Sequence, residues 1–363
     1  MSLIQQTDRA ERLTTLLPEA EVDALLVTNL VNVRYLTGYT GSNGLAAIGP
    51  QLRVFVTDFR YVQQAAEQVD PSFERRQSQL ELTDSIEEVL PGGSLRLGFE
   101  ESHMTVHDHA RLRAELDQRI ELVPVDGLVE RLRAVKDPDE VARIQEAAKL
   151  ADAGLTELLN HGLAGRTERE LAFDLGVAMH GQGADAPSFD VIVAAGPHGA
   201  LPHAFPRDVE VRPGQLVVID WGARLEGYCS DCTRTVCVGS EPDADQREVY
   251  ELVLGAQLAG LEAVRAGAST RQVDGTAREV ITAAGHGDEF GHGLGHGVGL
   301  DIHEAPRLSP RSDSALEAGN VVTVEPGVYL PDRFGVRIED LVVVTEEGCE
   351  ILTGLTKELT VVD

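Results

Sequence analysis

The sequence predicts two domains of different class: an α/β domain, followed by an α+β domain in which helices cover a mostly antiparallel sheet. At 363 residues, the chain is longer than one ordinary hydrophobic core requires. Strand-like and helix-like segments alternate through roughly the first 125 residues, whereas strands follow pairs of helices in the second half. We therefore expect an N-terminal domain over 1–130 and a C-terminal domain over 136–363.

Segments of the N-terminal domain differ in their periodicity and in their content of β-branched residues. Two segments are helix-like, DRAERLTTLL and VQQAAEQV, and four are strand-like: ALLVTN, NVRYLTG, RVFVTDFRYV and LRLGFE. The Gly-, Ser- and Thr-rich segment TGYTGSNG at 37–44 is either a close-approach loop or an ordinary strand connection. The alternation is typical of an α/β domain.

The C-terminal domain begins with a helix whose start is marked by its residue types. Asp137 suits the N-cap position, Pro138 suits the first turn, and acidic residues follow. Two further helix starts have the spacing of a capping box: Thr167 with Glu170, and Ser269 with Gln272. Strands are expected after each helix pair, in FDVIVAAG, QLVVIDWGA, NVVTVEPGVYL and EDLVVVTEEG.

The composition excludes several classes of partner. A formal net charge of −29 argues against nucleic acid or an anionic membrane surface. No stretch approaches the roughly 18 apolar residues of a membrane helix. The segment MSLIQQTDRAERL lacks the basic and then apolar order of a signal peptide. We expect a cytoplasmic protein that binds neither nucleic acid nor membrane.

The cysteines are too few for a disulfide framework in a chain of this length: Cys229, Cys232, Cys237 and Cys349. Cys229 and Cys232 form a CxxC, but neither a second CxxC nor a nearby Cys/His pair completes a zinc site. The CxxC also lies in an apparent strand rather than at a helix start. We expect reduced thiols that serve in packing.

Two aspartates occur within or at the end of apolar strands. Asp220 ends QLVVID, and Asp231 follows eleven residues later in GYCSDCTRTVCV, with a turn-like segment between them. A hairpin would bring the two carboxylates together, with Cys229, Asp231 and Thr233 on one face of the second strand. Because a buried carboxylate without a partner is costly, the pair indicates a metal site.

Two glutamates follow apolar runs in the same manner. Glu325 lies in VVTVEPG and Glu339 follows GVRI, and the loop LPDRFG between the strands lets the two side chains meet. Buried glutamate is uncommon unless it is paired or liganded. Arg337 would share a strand face with Glu339, where it either orients a ligand carboxylate or forms a plain ion pair.

Histidines supply the remaining candidates. The segment GHGLGHGVGLDIHE contains His292, His296 and His303, among glycines whose spacing excludes a GxGxxG phosphate loop. A single histidine is more often a packing residue, but His296 joins the four candidate carboxylates as a fifth ligand. His203 lies in GPHGALPHAFP, a loop of the kind that often presents functional groups. His198 is expected on the exposed side of that loop, without a function.

Four carboxylates and one imidazole suit a pair of divalent cations: Asp220, Asp231, His296, Glu325 and Glu339. About four negative charges would neutralise two such ions, and hard oxygen ligands favour Mn, Co or Fe over a thiolate zinc site. Two metals about 3.5–4 Å apart can share a hydroxide and stabilise a tetrahedral transition state. That chemistry is hydrolysis.

The ligand order and spacing resemble those of the proline-specific pita-bread metallopeptidases, in the superfamily of methionine aminopeptidase, prolidase and aminopeptidase P. The separations match: 11 residues between the aspartates, 29 from His296 to Glu325 and 14 from Glu325 to Glu339. The resemblance covers the whole chain, because the N-terminal α/β domain is similar to the creatinase-type domain that methionine aminopeptidases lack. It implies that the C-terminal domain is the pita-bread catalytic domain.

The resemblance implies a role for each candidate ligand. Asp220 would bind one metal, and Asp231 and Glu339 would bridge both metals. His296 and Glu325 would complete the second site, with Glu325 also shuttling the proton of the attacking water. The implied cofactors are two divalent ions, Mn in the first place, with Co, Fe or Zn as alternatives.

The resemblance also implies a set of residues that contact the substrate. His203 and His303 would steady the tetrahedral intermediate and the scissile group during catalysis. His292 would line the substrate pocket. Tyr329 and Arg337 would lie beside the metals and contribute to substrate binding.

The implied activity is that of a small bacterial-type Xaa-Pro aminopeptidase, which releases the N-terminal residue from peptides with proline in second position. NVRYLTGYTGSNG and VTDFRYV carry this finer resemblance. The alternative is an Xaa-Pro dipeptidase, or prolidase, whose pocket admits only dipeptides. A non-catalytic peptide-binding module or a metal-free creatinase-like hydrolase is disfavoured, because such relatives typically lose ligands that are all present here. By analogy, the resemblance implies a homodimer or a dimer of dimers.

Overall fold

The computed structural model describes the backbone of residues 3–363 and the side chains of residues 9–363. The chain divides into two compact units, Met1–Arg133 and Ala134–Asp363. Each unit buries apolar clusters of its own. Among the described residues, no helix combines the length and the apolar character that a membrane crossing requires.

The first unit is built on one mixed sheet. Its strands are β1 (Ala24–Val27), β2 (Leu45–Gly49), β3 (Leu52–Thr57), β4 (Glu74–Gln77), β5 (Leu95–Glu100) and β6 (Ile120–Val125). Its helices are α1 (Leu3–Leu16), α2 (Leu30–Thr37), α3 (Val62–Gln68), α4 (Ile86–Val89), α5 (Val106–Glu115) and α6 (Leu128–Ala134). The spatial order is β4-β3-β2-β1-β5-β6, with β2 antiparallel to both neighbours and the other pairs parallel. The α/β prediction is confirmed.

The segment NVRYLTG belongs to α2, so its assignment to a strand was wrong. The Asn29 side chain caps the helix start by accepting a hydrogen bond from the Val31 amide at 3.0 Å. Gly38 ends the helix in the left-handed region, with a φ of 81°. The β-branched and aromatic residues of this segment favour a strand. The caps at Asn29 and Gly38, together with the burial of Tyr35 and Leu36, stabilise a helix instead.

The loop at 37–44 runs against aromatic rings of its own unit. A Cβ atom on Gly41 would overlap the Tyr39 hydroxyl, and one on Gly44 would lie 2.9 Å from the Phe55 ring. Both rings are buried. Of the two alternatives, close approach therefore describes this loop, and what the backbone approaches is the unit's own core.

The second unit combines long helices with several small sheets. Its helices are α7 (Pro138–Asn160), α8 (Glu168–Gly181), α9 (Ala244–Ala263) and α10 (Thr270–Ala283). Its strands are β7 (Ala186–Pro187), β8 (Ile192–Ala195), β9 (Leu216–Trp221), β10 (Ala223–Leu225), β11 (Tyr228–Cys229), β12 (Cys232–Val238), β13 (Gly295–Gly297), β14 (Glu304–Leu308), β15 (Val321–Val324), β16 (Gly327–Leu330), β17 (Phe334–Arg337), β18 (Asp340–Val344), β19 (Cys349–Ile351) and β20 (Val361–Val362).

The sheets of the second unit are almost wholly antiparallel. Their orders are β11-β10-β7, β20-β12-β9-β8, β14-β13-β15-β18-β19 and β16-β17. Within the described part of the chain, the parallel pair in these sheets is β12 with β20. The α+β prediction for this half, with its mostly antiparallel strands, is confirmed.

All three predicted helix starts are confirmed. Asp137 caps α7, and Thr167 forms a capping box with Glu170 at the start of α8. Ser269 is at the N-cap of α10, but the predicted capping box with Gln272 was wrong, because the Ser269 side chain makes no capping hydrogen bond. The Ser269 backbone instead forms an isolated β-bridge, and the adjacent Thr270 hydroxyl donates to a backbone carbonyl at 3.0 Å.

All four cysteines are free thiols. Burial raises the pKa of Cys229 to about 12 and raises that of Cys232 further above its ordinary value. A thiol that stays protonated is a poor metal ligand and a poor nucleophile. The surroundings of the CxxC therefore support packing thiols.

Asp152 on α7 is a carboxylate in an unfavourable environment. Its Oδ2 accepts a hydrogen bond from the Gly354 amide at 2.6 Å, but its buried Oδ1 has no partner among the described residues. Burial raises the pKa of Asp152 to about 6. Because the unfolded value is about 3.9, ionisation of Asp152 costs stability as the pH rises from about 4 to about 6.

We expect Asp152→Asn to gain stability over the parent at pH 8 but not at pH 4. The gain should reach up to about 3 kcal/mol in the free energy of unfolding, since the pKa of Asp152 lies about two units above the unfolded value and one unit corresponds to about 1.4 kcal/mol. Denaturant unfolding of both proteins at the two pH values measures it. An equal difference at pH 4 and pH 8 would contradict the explanation, because amide packing does not titrate.

Candidate active site

All ten predicted site residues line one cavity of the second unit, with a volume of about 430 Å³. They are His203, Asp220, Asp231, His292, His296, His303, Glu325, Tyr329, Arg337 and Glu339. Strands from three of the small sheets, and several of the segments that connect the strands, contribute them. The fold thus brings together residues that are far apart in the sequence.

Three carboxylates lie close enough to share one cation. A ligand oxygen from each of Asp220, Asp231 and Glu339 lies within 4.8 Å of the other two. Asp220 on β9 is opposite Thr233 on β12 in the antiparallel register. The Glu339 amide, just before β18, donates to the Thr233 carbonyl at 3.1 Å. Thr233 therefore joins the two sheets that carry these ligands.

Asp231 lies in a break between β11 and β12, so its placement on one continuous strand with Cys229 and Thr233 was wrong. Ser230 closes the break: its hydroxyl accepts a hydrogen bond from the Ala223 amide at 3.0 Å and donates to the Ala223 carbonyl at 3.2 Å. These side-chain bonds add to a backbone bond at the same point, in which the Ser230 amide donates to the Ala223 carbonyl at 2.9 Å. Asp231 is nevertheless buried and lines the cavity.

His296 on β13 turns a nitrogen lone pair toward two of the carboxylates. Its Nδ1 donates to the Gly297 carbonyl at 3.0 Å, which leaves Nε2 as the unprotonated nitrogen. That Nε2 lies 3.5 Å from Asp231 Oδ2 and 3.5 Å from Glu325 Oε1. Burial lowers the pKa of His296 to about 4, so the ring stays neutral at pH 7. A lone pair facing carboxylates is repulsive unless a proton or a metal cation lies between them.

The carboxylates of the cavity are strongly perturbed. Burial, followed by mutual repulsion, raises the pKa of Asp231 and Glu339 well above their ordinary values. Burial also raises the pKa of Asp220, and raises that of Glu325 to about 7. In addition, the buried Asp220 Oδ1 has no hydrogen-bond partner in the part of the chain that the structure describes. Ionising all four carboxyl groups in this space is therefore unfavourable unless a cation neutralises them, and the site also has an unsatisfied acceptor.

Arg337 is the buried cation that faces this cluster. Its Nη2 donates to Asp220 Oδ2 at 2.6 Å, and its Nε donates to Thr233 Oγ1 at 3.0 Å. Thr233 in turn donates to Glu339 Oε2 at 2.7 Å. The ion-pair partner of Arg337 is thus Asp220, and its link to Glu339 passes through Thr233. This linking role of Thr233 could not be predicted from the sequence, because the contact joins residues 106 positions apart.

Tyr329 and His292 continue the network from Arg337. The Arg337 Nη1 donates to the Tyr329 hydroxyl at 2.9 Å. The His292 Nδ1 donates to the Gly293 carbonyl at 2.7 Å, so its Nε2 accepts from the Tyr329 hydroxyl at 2.9 Å. Burial lowers the pKa of His292 to about 4. The direction of donation along these hydrogen bonds is therefore fixed: Arg337 donates to Tyr329, and Tyr329 donates to a neutral His292.

His303 and His203 complete the predicted set. The His303 ring packs edge-on against His296, with centroids 4.3 Å apart, and burial lowers its pKa. His203 is exposed on the loop that follows β8, yet it also lines the cavity. Both imidazoles therefore face the space beside the carboxylates.

Arg307 is a further cavity residue, and it was not among the residues predicted from the sequence. It lies on β14, opposite His296 in the register with β13, and is exposed to the cavity. Burial is the main cause of the lowered pKa of His303, and the positive charge of Arg307 is the next largest. Arg307 lies four residues after His303, so the two side chains would share one face of a strand, but nothing in the sequence showed that this face would lie toward the site.

Comparison with known proteins agrees with this geometry. Residues 142–346 match metallopeptidase family M24, and residues 9–135 match the creatinase/prolidase N-terminal domain. The chain belongs to metallopeptidase family M24. The resemblance to its proline-specific branch, and with it the creatinase-like and pita-bread fold class, is confirmed.

Three relatives of this chain have names that concern substrate specificity. An Xaa-Pro dipeptidase of Pyrococcus furiosus is 36% identical over 97% of this chain and 99% of that protein. The structure of an Xaa-Pro dipeptidase from Bacillus anthracis has a TM-score of 0.94 at 41% identity, covering 98% of this chain and 100% of its own. The structure of an X-Pro aminopeptidase from Thermotoga maritima has a TM-score of 0.89 at 38% identity, and the match covers 98% of this chain and 100% of that one.

Proposed function

We propose that five residues hold two divalent cations: Asp220, Asp231, His296, Glu325 and Glu339. The support is the donor set, in which four crowded carboxylates and a neutral imidazole face one another. The unsatisfied Asp220 Oδ1 supplies a further free acceptor. Four carboxylates match the charge of two divalent ions, and hard oxygens favour Mn, with Co, Fe or Zn as alternatives.

The two ions would supply Lewis acidity and lower the pKa of water at the site. Glu325 accepts the proton of the attacking water and returns it to the leaving nitrogen. His203 and His303 donate hydrogen bonds to the substrate carbonyl as its oxygen gains negative charge. Tyr329 and Arg337 hold the ligand carboxylates and His292 in fixed orientations along one wall of the substrate pocket.

The proposed substrate class is peptides with proline in second position. A proline amide nitrogen carries no hydrogen, so peptidases that need that donor fail on it. The relatives named for Xaa-Pro and X-Pro substrates support this assignment.

We favour an Xaa-Pro dipeptidase over the aminopeptidase that the sequence had favoured. The observation that carries this choice is Arg307, a cation that faces the same cavity as the candidate metal ligands. A dipeptide presents a free carboxylate one residue beyond the scissile bond, and a guanidinium binds a carboxylate in a bidentate manner. Two of the three relatives described above are named as dipeptidases, which supports the same choice.

Hydrolysis of Ala-Pro beside Ala-Pro-Ala tests this choice. We expect the metal-stripped protein, reloaded with Mn, to cleave the dipeptide and to leave the tripeptide largely intact. Preferential cleavage of the tripeptide would instead support the aminopeptidase. Binding of metal without cleavage of either peptide would contradict both and favour a non-catalytic peptide-binding module.

We propose a homodimer or a dimer of dimers by analogy with the family, and we propose a cytoplasmic location. Light scattering after size-exclusion chromatography tests the first of these.

A further inference from the structure

The position of His203 depends on the backbone of its loop. Its side chain makes no hydrogen bond to any other described residue, and it is exposed. The neighbouring residues Pro202, Ala204, Phe205 and Pro206 also line the cavity. Whatever holds the loop from Ala195 to Arg207 therefore determines where the His203 imidazole lies.

Glu168, the first residue of α8, contacts both ends of that loop. Its carboxylate is fully buried, and its Oε1 accepts a hydrogen bond from the Ala195 amide at 2.9 Å. Its Oε2 accepts from the Arg207 amide at 3.0 Å and from His198 Nδ1 at 2.8 Å. The Arg207 guanidinium lies 3.6 Å from the same oxygen. Donors from the start, the interior and the end of the loop thus converge on one side chain.

His198 is buried, with 6% of its surface exposed, so its assignment to the exposed side of the loop was wrong. Its hydrogen bond to Glu168 draws the ring inward. Backbone bonds reinforce the base of the loop, because the Glu168 amide donates to the Val209 carbonyl at 3.1 Å. The loop is therefore closed at its base by α8.

Two further contacts hold the cavity side of the loop. A Cβ atom on Gly335 would overlap the Gly199 carbonyl, so the two backbones are in close contact there. Arg337 Nη1 donates to the Pro202 carbonyl at 3.1 Å. Neither contact ties the two ends of the loop together, whereas Glu168 does.

We propose that Glu168, acting with His198, is a positioning residue for His203. It fixes the loop of residues 195–207 so that the imidazole faces the reacting carbonyl. The inference rests on the proposed function, because that function gives His203 its role. A carboxylate is required, since each oxygen faces at least one N–H donor and charge-assisted hydrogen bonds are the stronger kind.

Glu168→Gln keeps the shape of the side chain but places an amide group against N–H donors. We expect kcat on Ala-Pro to fall about 100-fold, the effect of misplacing a catalytic group by about 1 Å, with a smaller change in KM. Two Mn ions per chain should still bind, because none of the proposed ligands contacts Glu168. Hydrogen exchange should accelerate at the amides of 201–207. Glu170→Gln, two positions along on the same helix and exposed, is the matched control.

A second pair of variants keeps the test valid if Glu168→Gln does not fold. His198→Ala should lower kcat and loosen the loop, whereas His198→Asn, whose amide can replace Nδ1 as the donor, should restore most of both. Equal behaviour of the two variants would overturn the proposal.

A double-mutant cycle separates positioning from general destabilisation. In a His203→Ala background, Glu168→Gln should reduce the remaining kcat less than about threefold, because its effect passes through His203. A full additive loss, or loss of bound metal, would overturn the inference. Hydrogen exchange distinguishes failure of this inference from failure of the proposed function. Faster exchange in Glu168→Gln, together with a parent that has no peptidase activity, would refute only the function. Unchanged exchange in Glu168→Gln would refute the positioning.

Discussion

Replacement of Asp231 by alanine is expected to abolish hydrolysis of Ala-Pro, with a loss of at least about 1,000-fold in kcat/KM. The loss should exceed the roughly 10- to 100-fold effect of removing a partner of a metal ligand, because Asp231 would itself be a ligand, one that the family resemblance expects both ions to share. Its side chain lies among Asp220, Glu339 and His296, so its removal leaves both proposed positions short of a ligand.

Metal content and thermal unfolding show whether the loss comes from the metal centre. The parent should bind two Mn ions per chain and gain stability on loading, whereas Asp231→Ala should bind fewer and gain less. The metal-free variant should be at least as stable as the metal-free parent, because one of several repelling buried carboxylates has gone.

A matched control is Asp245→Asn, which breaks an exposed ion pair with Arg333 at 2.7 Å. It should retain parental activity and metal content, as surface pairs contribute little. Full activity of Asp231→Ala would rule out the two-metal proposal.

Replacement of Arg307 by glutamine is expected to raise KM for Ala-Pro by about 10- to 100-fold. A hydrogen bond to a charged group contributes about 1.5–3 kcal/mol, and one tenfold change in affinity corresponds to about 1.4 kcal/mol. The change in kcat should be smaller, because Arg307 is proposed to bind the proline carboxylate rather than the scissile group. Steady-state kinetics on Ala-Pro measures both constants.

The carboxylate of the substrate provides the sharper control. Ala-Pro-amide lacks that charge, so the parent and Arg307→Gln should bind it with similar KM values. Arg307→Lys should recover part of the loss, since it keeps the charge without the bidentate geometry. An equal rise in KM for the acid and the amide would show that Arg307 acts on the shape of the cavity, and the dipeptidase proposal would lose its main support.

Local patterns in the sequence were sufficient to predict the fold class and the residues of the candidate metal site. Apolar strands that end in a carboxylate carry their own signal, because burying an unpaired charge is too costly to occur without a partner. Asp220 and Glu325 were identifiable for that reason. Helix starts at Asp137 and Thr167 were equally local, since a cap and its amide lie within one turn.

Only the tertiary structure decided which charges meet. Arg337 pairs with Asp220 across 117 positions, and Glu168 reaches the loop of His203 from 27 to 39 positions away. Whether Arg307 faces the cavity likewise depended on the path of β14. Sequence periodicity determines which face of an element is apolar, whereas hydrogen-bond partners depend on how distant elements pack, and that packing is set by the whole chain at once.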